Sequence, residues 1–150
     1  MTEHPNATLL RKGYEAIARG DLPSVLELFA EDGVMHVNGA GPLAGRHSGR
    51  EAIGQAFAGL FAWTGGTVKL EIGDIFADDH HAIATVRESA TRASDGLVLD
   101  VHEMHLFRMA DGSALEFWDI PAGPDREAHE AFFAESPTPP STSGMAVDSE

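Results

Sequence analysis

The chain of 150 residues has no cysteine, which excludes disulfides, thiolate metal ligands and a cysteine nucleophile, and fits a reducing compartment. Basic residues are scarce. Ten Lys and Arg stand against 24 Asp and Glu, a formal net charge of -14, and such a chain repels a nucleic acid backbone and an anionic membrane surface. Neither is an expected partner. No apolar run approaches the roughly eighteen residues that span a bilayer, and the start MTEHPNATLLRKGYEA lacks a basic region followed by an apolar core. The reading is of a cytoplasmic protein. GxGxxG and GxSxG are absent as functional units, and Ser48 in HSGR has no strand-to-helix elbow to activate it.

What is present suffices for one core: 43% of the residues are hydrophobic, enough for a single domain over 1–134. The segment 135–150 (ESPTPPSTSGMAVDSE) holds prolines, small polar residues and acids, and reads as a disordered tail. Leu9, Leu10, Tyr14, Ile17 and Ala18 recur at helical spacing over 6–19, ending at Gly20. Asp21 caps a second helix whose stripe, Val25, Leu26, Leu28 and Phe29, runs to Asp32-Gly33. A short strand (34–37), an irregular loop (38–49) and a third helix (50–62) follow. From Thr67 the apolar period becomes two, predicting strands over 67–76, 80–91, 96–109 and 113–121 as an antiparallel meander. A short amphipathic helix is expected over 125–134. Helices first and strands afterwards give an α+β fold, three helices on a curved antiparallel or mixed sheet enclosing a small-molecule pocket.

The last hairpin, LVLDVHEMHLFRMADGSALEFWDIP over 97–121, decides which polar groups share that pocket. A three-residue turn Ala110-Asp111-Gly112 sets Met109 opposite Ser113 and collects the odd positions on one face. That face carries Leu99, Val101, Phe107, Met109, Leu115 and Phe117, with Glu103, His105 and Asp119 at one end. Glu103 then lies opposite Asp119, and His105 sits diagonally. The other face carries Asp100, His102, Arg108, Glu116 and Trp118. A two-residue turn Asp111-Gly112 instead pairs Ala110 with Ser113, Arg108 with Leu115 and Glu103 with Ile120. It mixes charged and apolar groups on both faces, so the first register is preferred.

Three segments together resemble the SnoaL-like branch of the nuclear transport factor 2-like superfamily: YEAIARGDLPSVLELFAEDGVMHVNG, GPLAGRHSGREAIGQAF and VHEMHLFRMADGSALEFWDIP. The similarity covers about 8–134. It implies an α+β cone, commonly a homodimer, in a superfamily of polyketide cyclases, steroid isomerases, dehydratases and epoxide hydrolases. Asp119 and His105 keep the spacing of the aspartate base and histidine of SnoaL-type cyclases, and the cyclase glutamine falls on Glu103. The steroid isomerase pattern matches poorly, its base falling at Val37, its second acid at His105 and its tyrosine one position from Tyr14.

Acid/base chemistry needs a base of raised pKa, and a carboxylate in an apolar hollow has one. Asp119 is the candidate base, with His105 orienting it or donating to a developing oxyanion and Glu103 beside them. The plainer alternative has Asp119 ending the strand and His105 pairing structurally with Glu103. Tyr14 either turns its hydroxyl to the cavity or packs the core; Trp63 either roofs the pocket or packs a helix end. Phe107, Phe117 and Val37 complete the expected lining. Trp118 faces away as a dimer contact, and His36 belongs to a surface or interface.

No metal site is expected, since His102 and His105 around Glu103 point to opposite faces of a strand, and no cofactor is called for. The function expected is a cofactor-independent enzyme acting on a small, largely apolar carbonyl ligand by aldol or isomerase-type chemistry. A non-catalytic ligand carrier or dimeric accessory module is the alternative, and epoxide opening by Asp119, Arg87 and Asp100 ranks third.

Overall fold

The computed structural model describes residues 2–134; the tail expected over 135–150 lies outside the described residues. Helix α1 (Pro5–Arg19) stops where Gly20 takes a left-handed conformation at φ 69° and returns its N–H to Ala16 and Ile17. Asp21 caps α2 by accepting from the Ser24 N–H at 3.3 Å, but α2 spans only Leu22–Leu26. The longer second helix is therefore corrected. Phe29 opens strand β1 (Phe29–Val37), because the Ala114 N–H bonds the Leu28 carbonyl at 2.8 Å and Phe29 pairs with Ala114. Sheet pairing here overrides helical periodicity. The loop expected over 38–49 likewise contains a strand, β2 (Gly45–Ser48), antiparallel to Val34–Val37.

Helix α3 (Arg50–Trp63) precedes β3 (Lys69–Ala77), β4 (His81–Thr91), β5 (Val98–Ala110) and β6 (Ser113–Pro121). These four strands form the expected antiparallel meander, and β1 adds to β6 in parallel, so the sheet is mixed, in the order β2-β1-β6-β5-β4-β3. A 3-10 turn leads into α4 (Arg126–Phe133). Leu10, Tyr14, Phe29, Met35, Ile53, Phe107 and Phe117 share the main core between helices and sheet. None of the helices among the described residues is long and apolar enough to cross a membrane.

The hairpin corrects its expected register in an instructive way. Asp111 and Gly112 both sit at positive φ, 51° and 76°, which is the two-residue turn that fits the twist of its strands. Ala110 faces Ser113 and Met109 faces Ala114, but the register then shifts so that Arg108 faces Glu116. Leu115 is the extra residue of a bulge. Beyond it Phe107 faces Phe117, His105 faces Asp119 and Glu103 faces Pro121. The odd positions expected to face inward do so past the bulge. The cross-strand partners, however, are displaced by two residues from those predicted.

Candidate active site

Alternation along β5 buries Leu99, Val101, Glu103, His105, Phe107 and Met109. Helices α1, α2, α3 and α4 cover that face and enclose about 100 Å³ that the centre of a water molecule can occupy. Most of the wall is apolar, with Leu10, Ile17, Met35, Val37, Phe57, Phe107 and Phe117 among its residues. One end is different. Glu88 of β4, Glu103 and His105 of β5, Asp119 of β6, His129 of α4 and Tyr14 of α1 line it together.

The Tyr14 hydroxyl lies 2.6 Å from His105 Nδ1, and His105 Nε2 lies 3.3 Å from a Glu103 oxygen. Those partners assign the tautomer: the phenol donates to Nδ1, and Nε2–H points to the carboxylate. Burial holds the Tyr14 phenol well above its ordinary pKa, with the Glu103 charge adding to the effect, so it is a donor throughout the working range. Burial pushes His105 down to about 4, which keeps the imidazole neutral. Phe117 packs its ring edge-on to His105 at 5.0 Å.

Three carboxyl groups converge on His129. Its Nε2 lies 3.6 Å from Glu88, 3.8 Å from Glu103 and 3.6 Å from Asp119. Burial pushes Glu103 up to about 7. Glu88 rises well above the carboxylate range, first through burial and then through the Glu103 charge. Asp119 also rises through burial, opposed by the Asn38 N–H that donates to it at 2.7 Å. His129 is pushed down to about 4, again by burial. Glu88, Glu103 and His129 each present an atom within 4.8 Å of the others, an arrangement that could hold a metal ion and that the expectation of no metal site had overlooked.

Of the residues nominated from sequence, Tyr14, Val37, Glu103, His105, Phe107, Phe117 and Asp119 all line the cavity. Trp63 does not. Its indole N–H donates to the Phe132 carbonyl at 3.0 Å while its ring packs on a second cluster with Leu99 and Val101, so its expected role in the lining is corrected to a helix-end contact. Trp118 faces away as expected and stacks on His36 at 5.2 Å. The epoxide-opening set is not assembled either, because Arg87 pairs with Asp100 at 2.7 and 2.8 Å on the exposed face, turned from Asp119. Sequence reasoning missed Glu88 and His129. Glu88 was legible by parity, being in phase with Ala82, Ala84, Val86 and Ala90, all buried. His129 precedes the buried pair Phe132 and Phe133 by three and four positions, the spacing of one helical face.

The sequence profile of the SnoaL-like domain matches residues 10–117. An uncharacterized protein of Mycobacterium tuberculosis is 33% identical over 135 residues, 89% of this chain and 100% of its own length. This chain belongs to the SnoaL-like domain family. Among solved structures, Bal32a from a soil-derived mobile gene cassette is 33% identical with a TM-score of 0.79, covering 86% of this chain and 96% of its own. An NTF2-like protein of unknown function from Burkholderia pseudomallei is 20% identical, with a TM-score of 0.74 over 89% of this chain and 100% of its own. IdmH of Streptomyces antibioticus, a candidate polyketide cyclase, is 20% identical, with a TM-score of 0.67 over 83% and 97%. The SnoaL-like domain thus has an α+β, NTF2-like fold, and its structural neighbours include both candidate cyclases and proteins without known chemistry.

Proposed function

We propose that this SnoaL-like domain is an acid/base enzyme that uses its own side chains to enolise a small, largely apolar carbonyl compound, most like an aldol cyclase. One observation carries the reading: an apolar cavity ends in three carboxyl groups and two imidazoles, with no lysine or arginine among its lining residues. Such a site holds a desolvated base against a neutral ligand. Asp119 is the base. Its Oδ1 accepts from the Asn38 N–H, and its Oδ2 is the oxygen nearest His129, which leaves a fixed carboxylate edge for a C–H proton. The C–H electron pair moves into the new C=C bond and the carbonyl pair onto oxygen. In an aldol step the enolate carbon then bonds the second carbonyl carbon, and the resulting alkoxide takes its proton back from Asp119. His105, held by Tyr14 and Glu103, positions the cluster. The family resemblance adds a homodimer, and the outward-facing Trp118 is our candidate for its contact.

Exchange of α-protons in D2O tests this without the natural substrate, using a panel of apolar ketones such as 1-tetralone and 1-indanone followed by NMR. At least one bound ketone should exchange faster with the protein, and Asp119→Asn should abolish the acceleration while leaving binding in place. Binding without exchange would favour the carrier reading, whose support is that His105 is already occupied, hydrogen-bonded to Tyr14 and facing Glu103 at 3.3 Å.

A further inference from the structure

Three carboxyl groups in one buried end need compensation, and the cavity wall supplies no cation. Glu88 and Glu103 bring carboxylate oxygens within 4.8 Å of each other, and two negative charges that close repel strongly away from water. The cluster therefore holds at least one proton at neutral pH. The partners show where. Asp119 accepts from the Asn38 N–H, and Glu103 faces the His105 Nε2–H. Glu88, on β4 and 5% exposed, has neither, with only His129 Nε2 at 3.6 Å. An independent sign points the same way. Glu103 Oε1 is buried and meets no N–H or hydroxyl donor among the described residues, and a proton on Glu88 supplies the donor it lacks.

We propose that Glu88 is a second catalytic residue of this site, a neutral carboxylic acid that gives its hydrogen bond to the substrate oxygen while Asp119 takes the carbon-bound proton. The assignment rests on the acid/base reading above and extends it. Glu88 and Asp119 flank His129 Nε2 at equal distances, 3.6 Å each, so a carbonyl group seated against this end meets a base on one side and an acid on the other. As the enolate forms, the Glu88 proton turns from Glu103 to the new oxyanion. When the carbon–carbon bond has formed, it returns, and Asp119 surrenders the proton it took. No proton is gained or lost over the cycle. The arrangement also sets the ligand class. A carboxylate or phosphate would add an anion to a pocket with no fixed cation, whereas a ketone or lactone accepts the Glu88 proton at no electrostatic cost.

Infrared difference spectroscopy of the free protein decides the location of the proton. At about pH 8.5, where Glu103, raised to about 7, is ionised, the wild type should show the carbonyl stretch of a protonated carboxylic acid, shifted by deuterium, absent in Glu88→Gln and retained in Asp119→Asn. Absence of the band in folded wild type overturns the proposal, as does its survival in Glu88→Gln. A stoichiometric divalent cation in the purified protein, lost with Glu88→Gln, overturns it too, because a metal would then be compensating the carboxylates. In the ketone exchange assay, Glu88→Gln keeps a donor and should retain much of the rate, whereas Glu88→Leu should lose about 10²–10³-fold. Circular dichroism verifies that both variants fold. Equal losses in both, or none in either, remove the donor role. The expected band in a protein that exchanges no ketone leaves the proton on Glu88 but removes its catalytic use, so this failure is separable from failure of the acid/base reading.

Discussion

The two faces of β4, β5 and β6 both carry carboxylates and histidines, under opposite physical rules. On the outer face Arg87 pairs with Asp100, Arg108 and His36 with Glu116, and His102 lies 3.5 Å from Asp125. Water reaches most of these groups, and every acid among them has a basic neighbour. On the inner face Glu88, Glu103 and Asp119 are gathered around two imidazoles that burial keeps neutral. Alternation of side chains about one backbone separates the two sets. Carboxylates thus become inert ion-pair partners on one side and shifted, proton-holding groups on the other, and the difference is burial together with the absence of lysine and arginine from the inner lining.

Breaking the alternation should have the largest effect. Inserting one alanine between Phe117 and Trp118 would shift the rest of β6 by one position, sending Trp118 inward and Asp119 outward. We expect a loss above about 4 kcal/mol, or no cooperative unfolding at all. Leu115→Ala keeps the bulge and should cost no more than about 1–2 kcal/mol, since Leu115 is only half-buried. Thermal melts of the two variants check this, and equal Tm values would show that the phase of β6 does not hold the two faces apart.

This bulge also marks the limit of what the sequence disclosed. Alternation from Leu99 to Met109 and the Asp-Gly pair were plain, and from them came the strands, the sheet face and most of the lining. The extra residue was not, because a bulge leaves no periodic signature; two errors, a turn one residue too long and an unbroken ladder, cancelled to leave the odd positions inside. The start of β1 was hidden for a different reason. Val25, Leu26, Leu28 and Phe29 are helically spaced, and only the distant Ala114 shows that Phe29 pairs in the sheet. Glu88 and His129 were passed over because a charged residue in an apolar phase reads as an interruption until its partners from other elements are known.

A smaller effect should separate the faces by pH. Glu103 is raised to about 7 in the folded state, against about 4.3 in an unfolded chain. Its contribution to stability is therefore complete below the unfolded value and is lost as pH rises toward 7. His105, lowered to about 4, contributes in the opposite sense, fully above about 6.5 and less as pH falls. Together these two groups keep stability nearly level from about pH 4.5 to 6.5 and lower it from there to about pH 7. Glu103→Gln should remove the Glu103 part of the decline, on the order of 2–3 kcal/mol at pH 8 relative to pH 5, measured by urea melts at each pH. A parallel decline in both proteins would place Glu103 among ordinary carboxylates.

Next in size is Tyr14→Phe. It deletes the hydroxyl 2.6 Å from His105 Nδ1 and leaves a buried acceptor unsatisfied, at a cost of about 1–3 kcal/mol. The sharpest contrast is then the smallest number. Arg87 and Asp100 make two hydrogen bonds of 2.8 and 2.7 Å, a geometry as good as any on the inner face, yet both side chains are 50% exposed. Water already stabilises each charge, so the pair gains little from meeting. Arg87→Ala and Asp100→Asn should each shift stability by less than about 1 kcal/mol, with no change in the ketone exchange rate and a double mutant that adds simply. A coupling as large as that of Tyr14 with His105, read from the two double-mutant cycles, would mean that hydrogen-bond geometry rather than burial distinguishes the faces.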